Sequence, residues 1–403
     1  QHAGGICLRR PSAHTQLSNV SRRFPGRLRA RSGTSNKMLL SLKNVAPYLM
    51  ECGLIRPDVI VDGDLMIVET PRRNLNFKIV RKRGPGYFVK QIQVWNPQIS
   101  AEMQREATCY WLPQHEAVFA PLADLVPKYA HYNPTRCILI TELLPDGESV
   151  SDYHRRLGRF PVDLAEALAR LLVRYHHLAD GELSNHKQLA SFPRAVPWIL
   201  SLAQQNPGQF TDLSMGNVQL IGVMQQYPDF QHALDDLRNQ WQKTSLIHGD
   251  MKWDNCLVQA PASPSDPPRL RLVDWELADV GDPAWDVGAI FQSYLSFWIL
   301  SINMPVGVPP AQSLHLAQYP IESMQPAIRR FWETYRDASG LVGPAATAYL
   351  ELSVKYAAAR MIQTVYEYMQ RAPQLTPNAL CLLQVSLNIL HQPQEAIRDL
   401  LAL

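Results

Sequence analysis

Between Leu246 and Asp286 the chain gathers oxygen-bearing side chains in a fixed order: Ile247-His248-Gly249-Asp250, then Asn255, then Val273-Asp274-Trp275-Glu276, then Gly281-Asp282-Pro283 and Asp286. Two carboxylates and one amide at such separations can hold metal-bound phosphate. Phosphoryl transfer asks little covalent chemistry of a protein. It needs an acceptor hydroxyl placed in line and a divalent cation to neutralise the β- and γ-phosphates. In that chemistry Asp250 orients or deprotonates the acceptor. Asn255 and Asp274 supply one neutral and one anionic oxygen to Mg²⁺, which prefers few protein ligands and keeps part of its water.

The elements around these residues suit the task. Asp250 closes an apolar, strand-like run, Asn255 follows on a short turn, and Cys256-Leu257-Val258 resumes extended structure. Asp274 ends a second run, Leu270-Arg271-Leu272-Val273, joined to the first through the Pro/Ser-rich 260–268 segment, so the pattern predicts a small hairpin beside a site. A His-Gly-Asp alone is common in turns, and metallophosphoesterases also use Gly-Asp ligands, but the Gly-Asn-His-Asp such an enzyme carries downstream is missing here.

Taken in order, His248-Gly249-Asp250-x-x-x-x-Asn255, Asp274-Trp275-Glu276 and Gly281-Asp282-Pro283-x-x-Asp286 resemble the aminoglycoside phosphotransferase/choline kinase family. The resemblance runs from about Asn74 to Asp286. It implies an α+β, two-lobed, protein-kinase-like fold with a small N-lobe, an antiparallel sheet plus one helix, and a large, mostly helical C-lobe. The lobes would span residues 38–144, including the hinge, and 145–403. The resemblance further implies Asp250 as catalytic aspartate, Asn255 and Asp274 as metal ligands, Asp286 as a buried carboxylate steadying the catalytic loop, a structural His248, and ATP and Mg²⁺ as cofactors.

Such a fold makes demands upstream, and each can be located. Asp64 to Glu69 and Asn76 to Arg83 read as strands. Gly84-Pro85-Gly86 is a turn signal before Tyr87-Phe88-Val89-Lys90, which puts Lys90 on a third strand. Its ammonium would bridge the α/β-phosphates and pair with a helix carboxylate. Glu106 is the best placed and Glu102 the alternative, since Met103, Ala107 and Tyr110 recur at helical spacing and leave the glutamates on the surface. The run Cys137 to Ile140 predicts a buried strand leading into a hinge, where backbone groups of Glu142, Leu143 and Leu144 would read the adenine edge.

The loop expected over the phosphates, Pro71-Arg72-Arg73-Asn74-Leu75-Asn76, has no glycine. Asn tolerates left-handed backbone, so Asn74 stands in for glycine here, with Asn76 beside it as a second nucleotide-binding candidate. Arg72 and Arg73 are either phosphate contacts or solvated surface charge.

A protein substrate is disfavoured, because a protein kinase places an activation segment between its metal-binding Asp and the next buried Asp, whereas only eleven residues separate Asp274 from Asp286. A small-molecule acceptor is the expectation: an amino sugar, amino alcohol or sugar. Glu276, Asp279 and Asp282 at the mouth would suit a cationic one, although such carboxylates also cap helices, and Asp282-Pro283 has that look. Lys252, two residues past Asp250, is a candidate γ-phosphate contact. A non-catalytic nucleotide-binding relative would be expected to lack Asp250, Asn255, Asp274 or Lys90, and all four are present. An atypical protein kinase is the remaining alternative.

Away from the site, Leu164, Leu168, Leu171, Leu172 and Tyr175 form one apolar helix face, and Ala233, Leu234, Leu237 and Trp241 another, with His176 and His177 read as helix residues rather than ligands. The helices beyond Pro309-Pro310 carry periodic Ile328, Phe331, Trp332 and Tyr335, then Leu352, Tyr356, Met361 and Tyr366, and no catalytic group is expected there. The run Val287 to Ile302 is read as a buried helix, since Gln292 and several serines interrupt it.

Residues 1–37 hold seven Arg, one Lys and no acid, whereas the rest carries 31 basic and 36 acidic residues, which gives no support to nucleic-acid binding. The extension resembles a transit peptide or a basic tail in composition, or it is upstream sequence before Met38. Six scattered cysteines with no Cys-x-x-Cys point to a reducing, cytoplasmic setting, or to an organelle if the extension is a transit peptide. No motif specifies an oligomeric state.

Overall fold

In strand β2 (Leu75–Arg81) the alternation of Phe77 and Ile79 with Lys78 and Val80 sends two fully buried side chains to one face of a sheet. The computed structural model describes residues 38–70, 73–178, 183, 186–204, 213–259, 268–304 and 313–403. The basic extension, Pro71, Arg72 and the 260–267 connection lie outside them.

Five strands, β1 (Leu65–Glu69), β2, β3 (Tyr87–Gln91), β4 (Tyr129–Asn133) and β5 (Ile138–Glu142), form an antiparallel sheet in the order β1-β2-β3-β5-β4. The register sets Lys90 between Asn76 on β2 and Leu139 on β5. One face receives the helix α3 (Pro97–His115), whose Met103, Ala107 and Tyr110 are buried as their spacing predicts. The other face departs from the one-helix expectation. Two short helices, α1 (Val45–Glu51) and α2 (Pro57–Val61), cover it with Val45, Leu49 and Val59, which pack with Phe77, Ile79, Val89, Ile138 and Ile140. Each such side chain taken from water is worth about 1.5–3 kcal/mol, so a sheet apolar on both faces needs both covers.

The helical part holds α4 (Val150–Leu157), α5 (Val162–His176), α6 (Met215–Gln226), α7 (Pro228–Gln240), α8 (Ala284–Leu300), α9 (Ile321–Ala338), α10 (Gly343–Tyr368) and α11 (Pro377–His391). Both predicted apolar faces, on α5 and α7, are buried as expected, Ala233 only partly. α8 is buried from Ala284 to Ile299, the signature of a central core helix, and among the described residues no helix is long and apolar enough to cross a membrane. Its Gln292 amide is satisfied by Ser296 and Thr364 at 2.9 Å each. Gly288 lets α8 meet α10 directly, since a Cβ there would stand 2.5 Å from the Ser353 carbonyl oxygen.

The remaining small strands hold the candidate site residues. β6 (Glu148–Ser149), β8 (Cys256–Gln259) and β9 (Arg269–Leu272) form a three-stranded sheet that includes the predicted β8–β9 hairpin, and β7 (Ser245–Ile247) pairs antiparallel with β10 (Asp279–Gly281).

Candidate active site

Lys90 projects from β3 into a ring of carboxylates. Its Nζ lies 2.7 Å from Glu106 Oε2 on α3, 2.5 Å from Asp274 Oδ1 at the end of the hairpin and 3.2 Å from Glu276 Oε2. Burial works against the ammonium's charge, but the three carboxylates outweigh it and hold Lys90 above its ordinary range. Burial also pushes Glu106 upward, to about 7, against the pull of Lys90. Both helix glutamates are buried rather than on the surface, because each has a cation to meet. Glu102, the alternative partner for Lys90, instead takes Arg73 at 3.0 Å, and Arg73 also reaches Glu276 at 3.2 Å. Arg73 itself stays largely exposed.

Tyr110, one turn beyond Glu106, ties this cluster to the end of the β8–β9 hairpin: its hydroxyl donates to Glu106 Oε1 at 3.3 Å and accepts the Asp274 N–H at 3.0 Å. That second bond supports a backbone held at φ 65°, ψ 53°, left-handed geometry that a non-glycine residue adopts at a cost.

The His248–Asp250 loop is fixed from beneath. Asp286, on the first turn of α8 and fully buried, accepts the His248 N–H at 2.6 Å, the Gly249 N–H at 3.1 Å and the Tyr175 hydroxyl at 2.7 Å. Burial would raise this carboxyl, but its donors and the nearby His176 and His248 hold it below the usual range. Gly249 has φ +77°, and a Cβ would fall 2.2 Å from the Leu277 carbonyl oxygen, so glycine is required. His248 is structural as expected: Nε2 faces the Val273 carbonyl at 3.0 Å, the ring lies against Trp275, and burial lowers its pKa so that it stays neutral. His176, also buried and lowered by burial, meets the Tyr335 hydroxyl at 2.9 Å.

Asp250 is held on both oxygens. Oδ2 accepts from Asn255 Nδ2 at 3.1 Å and lies 2.9 Å from Lys252 Nζ, while Oδ1 lies 3.2 Å from Arg360 Nη2. Asn255 Nδ2 also bonds the Asp250 carbonyl at 2.9 Å, which leaves its side-chain oxygen as the atom it can offer a cation. Lys252 bridges Asp250 to Glu367 at 3.5 Å; burial opposes its charge, and the two carboxylates more than restore it.

Arg360 was not foreseen. It lies on α10, in the region read as free of catalytic groups, and is 3% exposed. Besides Asp250 it bonds the Gly249 carbonyl at 3.0 Å, and its guanidinium sits 5.1 Å from the Trp285 ring centroid. One signal was available. The run Tyr356-Ala357-Ala358-Ala359-Arg360-Met361-Ile362 sets an arginine inside an apolar segment, where only a buried partner could keep it.

Other expectations change on contact with the geometry. Asp279 accepts the Arg194 and Ala195 N–H groups at 2.8 and 2.9 Å, and Asp282 accepts the Ala284 N–H at 3.0 Å and the Tyr356 hydroxyl at 3.2 Å. Both are buried supports of loop and helix start, which removes them from the mouth of the site; Glu276 remains. Asn74 is buried without left-handed backbone, so it does not replace glycine in that sense. Asn76 is buried opposite Lys90, and its Oδ1 has no partner. At the hinge, the Glu142 N–H is taken by the Lys128 carbonyl at 2.8 Å and the Leu143 N–H by Gly86 at 3.0 Å. Of the three hinge amides, the Leu144 N–H alone makes no backbone hydrogen bond among the described residues.

Oxygen donors are thus concentrated where a hard divalent cation would need them. Glu106, Asp274 and Glu276 lie within 4.8 Å of one another, but the Lys90 ammonium stands among them, so a cation is better served by the half-exposed Asp274 and by Asn255.

A strand lysine salt-bridged to a helix glutamate thus lies against the aspartate that follows a two-stranded hairpin. The family model described as phosphotransferase enzyme family (APH) matches residues 76–302, more than half of the chain, and the chain belongs to that family. The family is one of phosphotransferase enzymes. Among solved structures, a choline kinase from Cryptosporidium parvum Iowa II shares the fold at a TM-score of 0.53 and 12% identity, over 87% of this chain and 96% of that one. A choline/ethanolamine kinase family protein from Mesorhizobium loti is similar at 0.49 and 13%, over 87% and 95% of the two chains. A macrolide 2′-phosphotransferase type I is similar at 0.45 and 15%, over 88% and 99%. No curated protein sequence matches the chain.

Proposed function

We propose that the protein transfers the γ-phosphoryl group of ATP to a hydroxyl of an amino sugar, amino alcohol or sugar. The observation that carries this reading is the 2.5 Å contact of Lys90 with Asp274, which brings a β-sheet cation and the hairpin carboxylate to one point in the cleft. Lys90 neutralises the α/β-phosphates while Glu106 holds it in place. The Glu142–Leu144 hinge receives the adenine, with the Leu144 N–H as its open donor, and Asn76 on β2 and Asn74 just before it flank the phosphates. Asn255 and Asp274 would hold Mg²⁺, which supplies charge neutralisation across the β- and γ-phosphates when bound.

Asp250 orients the acceptor hydroxyl in line and takes its proton as the new O–P bond forms and ADP leaves, and Lys252 steadies the transferred group. With Asp279 and Asp282 buried against backbone N–H groups and the Tyr356 hydroxyl, an acceptor's ammonium would be met by the more exposed Glu276 and Glu367, which it would share with Lys90 and Arg73 and with Lys252. The test is a nucleoside-diphosphate-release screen, ADP from ATP and GDP from GTP, with Mg²⁺ across amino sugars, amino alcohols, sugars and aminoglycosides. Acceptor-dependent ADP from one class supports the reading; no stimulation by any of them, with ATP bound, contradicts it.

A further inference from the structure

We infer that Arg360 is a positioning residue for Asp250, so that the orientation of the catalytic carboxylate is set by α10, 110 residues away in sequence, as well as by its own loop. The inference rests on the proposed phosphoryl transfer at this site. Three groups touch the Asp250 carboxylate, but Asn255 and Lys252 both hold Oδ2, and among the described residues only Arg360 holds Oδ1. Without it the carboxylate can rotate about a single pinned oxygen, and the atom facing the acceptor loses its direction.

An arginine suits this place and a lysine does not. Its planar fork spans two acceptors at once, the Gly249 carbonyl at 3.0 Å and Asp250 Oδ1 at 3.2 Å, while its face lies over Trp285. The same Gly249 carbonyl accepts from Trp285 Nε1 at 2.9 Å, so Arg360 and Trp285 clamp one peptide between them. The helix that delivers Arg360 is locked to α8 at the Gly288–Ser353 approach, and α8 also carries Asp286, which fixes the loop from its N–H side. Arg360 Nε is buried without a partner. An arginine kept for stability alone would be expected to satisfy every donor, whereas one aimed at the two acceptors of the catalytic loop leaves this atom unmade.

The test compares the wild-type chain with Arg360→Met and Arg360→Lys, reading ADP release from Mg²⁺ and ATP with ethanolamine, glucosamine or glucose in excess, and nucleotide affinity by thermal shift. Arg360→Met should lower kcat by about 100-fold, the scale of a small misplacement in a reacting geometry, with KM for ATP and the ATP-induced shift within about twofold of wild type. Arg360→Lys should recover about tenfold of that loss, since it restores charge on one acceptor but not the fork. Turnover within about threefold of wild type in Arg360→Met, or a loss matched by an equal loss of ATP affinity, would overturn the inference and leave the transfer reading standing. If Arg360→Met shows no cooperative melt, Arg360→Lys decides on the same two criteria. A wild-type chain that binds no ATP, or binds it and releases no ADP, brings down the transfer reading and this inference together.

Discussion

The Tyr110 hydroxyl accepts the Asp274 N–H at 3.0 Å, and through that one bond the helix that orients Lys90 also orients the proposed metal ligand. The same hydroxyl donates to Glu106, so the strand, the helix and the hairpin end are coupled through a single buried oxygen.

Tyr110→Phe leaves the Asp274 N–H without a partner at a strained backbone position. The expected cost is about 1–3 kcal/mol of stability, measured by urea unfolding. Turnover should fall by about tenfold, the equivalent of about 1.4 kcal/mol in the barrier. A variant that unfolds at the wild-type midpoint and turns over normally would show that Asp274 is held by other means.

Asp286 satisfies two backbone N–H groups and one buried hydroxyl. Its replacement by alanine strands all three in the core, so a loss on the order of 3–5 kcal/mol is expected, together with loss of transfer. Unfolding midpoints of wild type and Asp286→Ala check this; a difference below 1 kcal/mol would mean that water replaces the carboxylate.

Acid should destabilise the fold before it titrates most carboxylates. Burial lowers His154 to about 4, although its Nδ1 faces the Arg159 carbonyl, and burial lowers His176 and His248 as well. In the unfolded chain these rings take a proton near pH 6.5 and in the folded chain they resist it, so the unfolded state binds more protons below that point. The His154 contribution is full above about pH 6.5 and declines as pH falls toward 4, by about 3 kcal/mol, with buried His176 and His248 adding to it, while the raised Glu106 carboxyl opposes it between about pH 7 and 4.5. Melting temperatures at successive pH values test the slope, and His154→Phe should flatten it. An equal slope in that variant would assign the loss to other groups.

How far the sequence could be read depended on whether a residue's partner was local. Lys90 and Glu106 were legible because the family resemblance asks for a strand lysine and a helix glutamate, and periodicity marks the strand and the helix that carry them. Asp250, Asn255 and Asp274 sit at the ends of short apolar runs, which marks where strands stop and side chains emerge. Arg360 left only the faint mark of a charge in an alanine-rich helix, since its partner comes from a loop 110 residues away in sequence. Asp282-Pro283 has the look of a helix start in sequence and Asp282 does accept the first-turn Ala284 N–H, whereas Asp279 reads as an acid at the mouth of the site. Only the folded chain brings the Arg194 and Ala195 amides and the Tyr356 hydroxyl to them. The covering helices α1 and α2 were missed for a related reason: their need is set by the second apolar face of the sheet, not by their own pattern.

The most direct measurement is the thermal shift given by ATP and Mg²⁺ together, compared between wild type, Asp274→Ala and Asp250→Asn. If Asp274 helps to hold the cation and Asp250 acts on the acceptor, the shift should depend on Mg²⁺ in wild type, disappear or fall sharply in Asp274→Ala, and persist in Asp250→Asn while ADP release is lost. An undiminished Mg²⁺-dependent shift in Asp274→Ala would contradict the account at its centre.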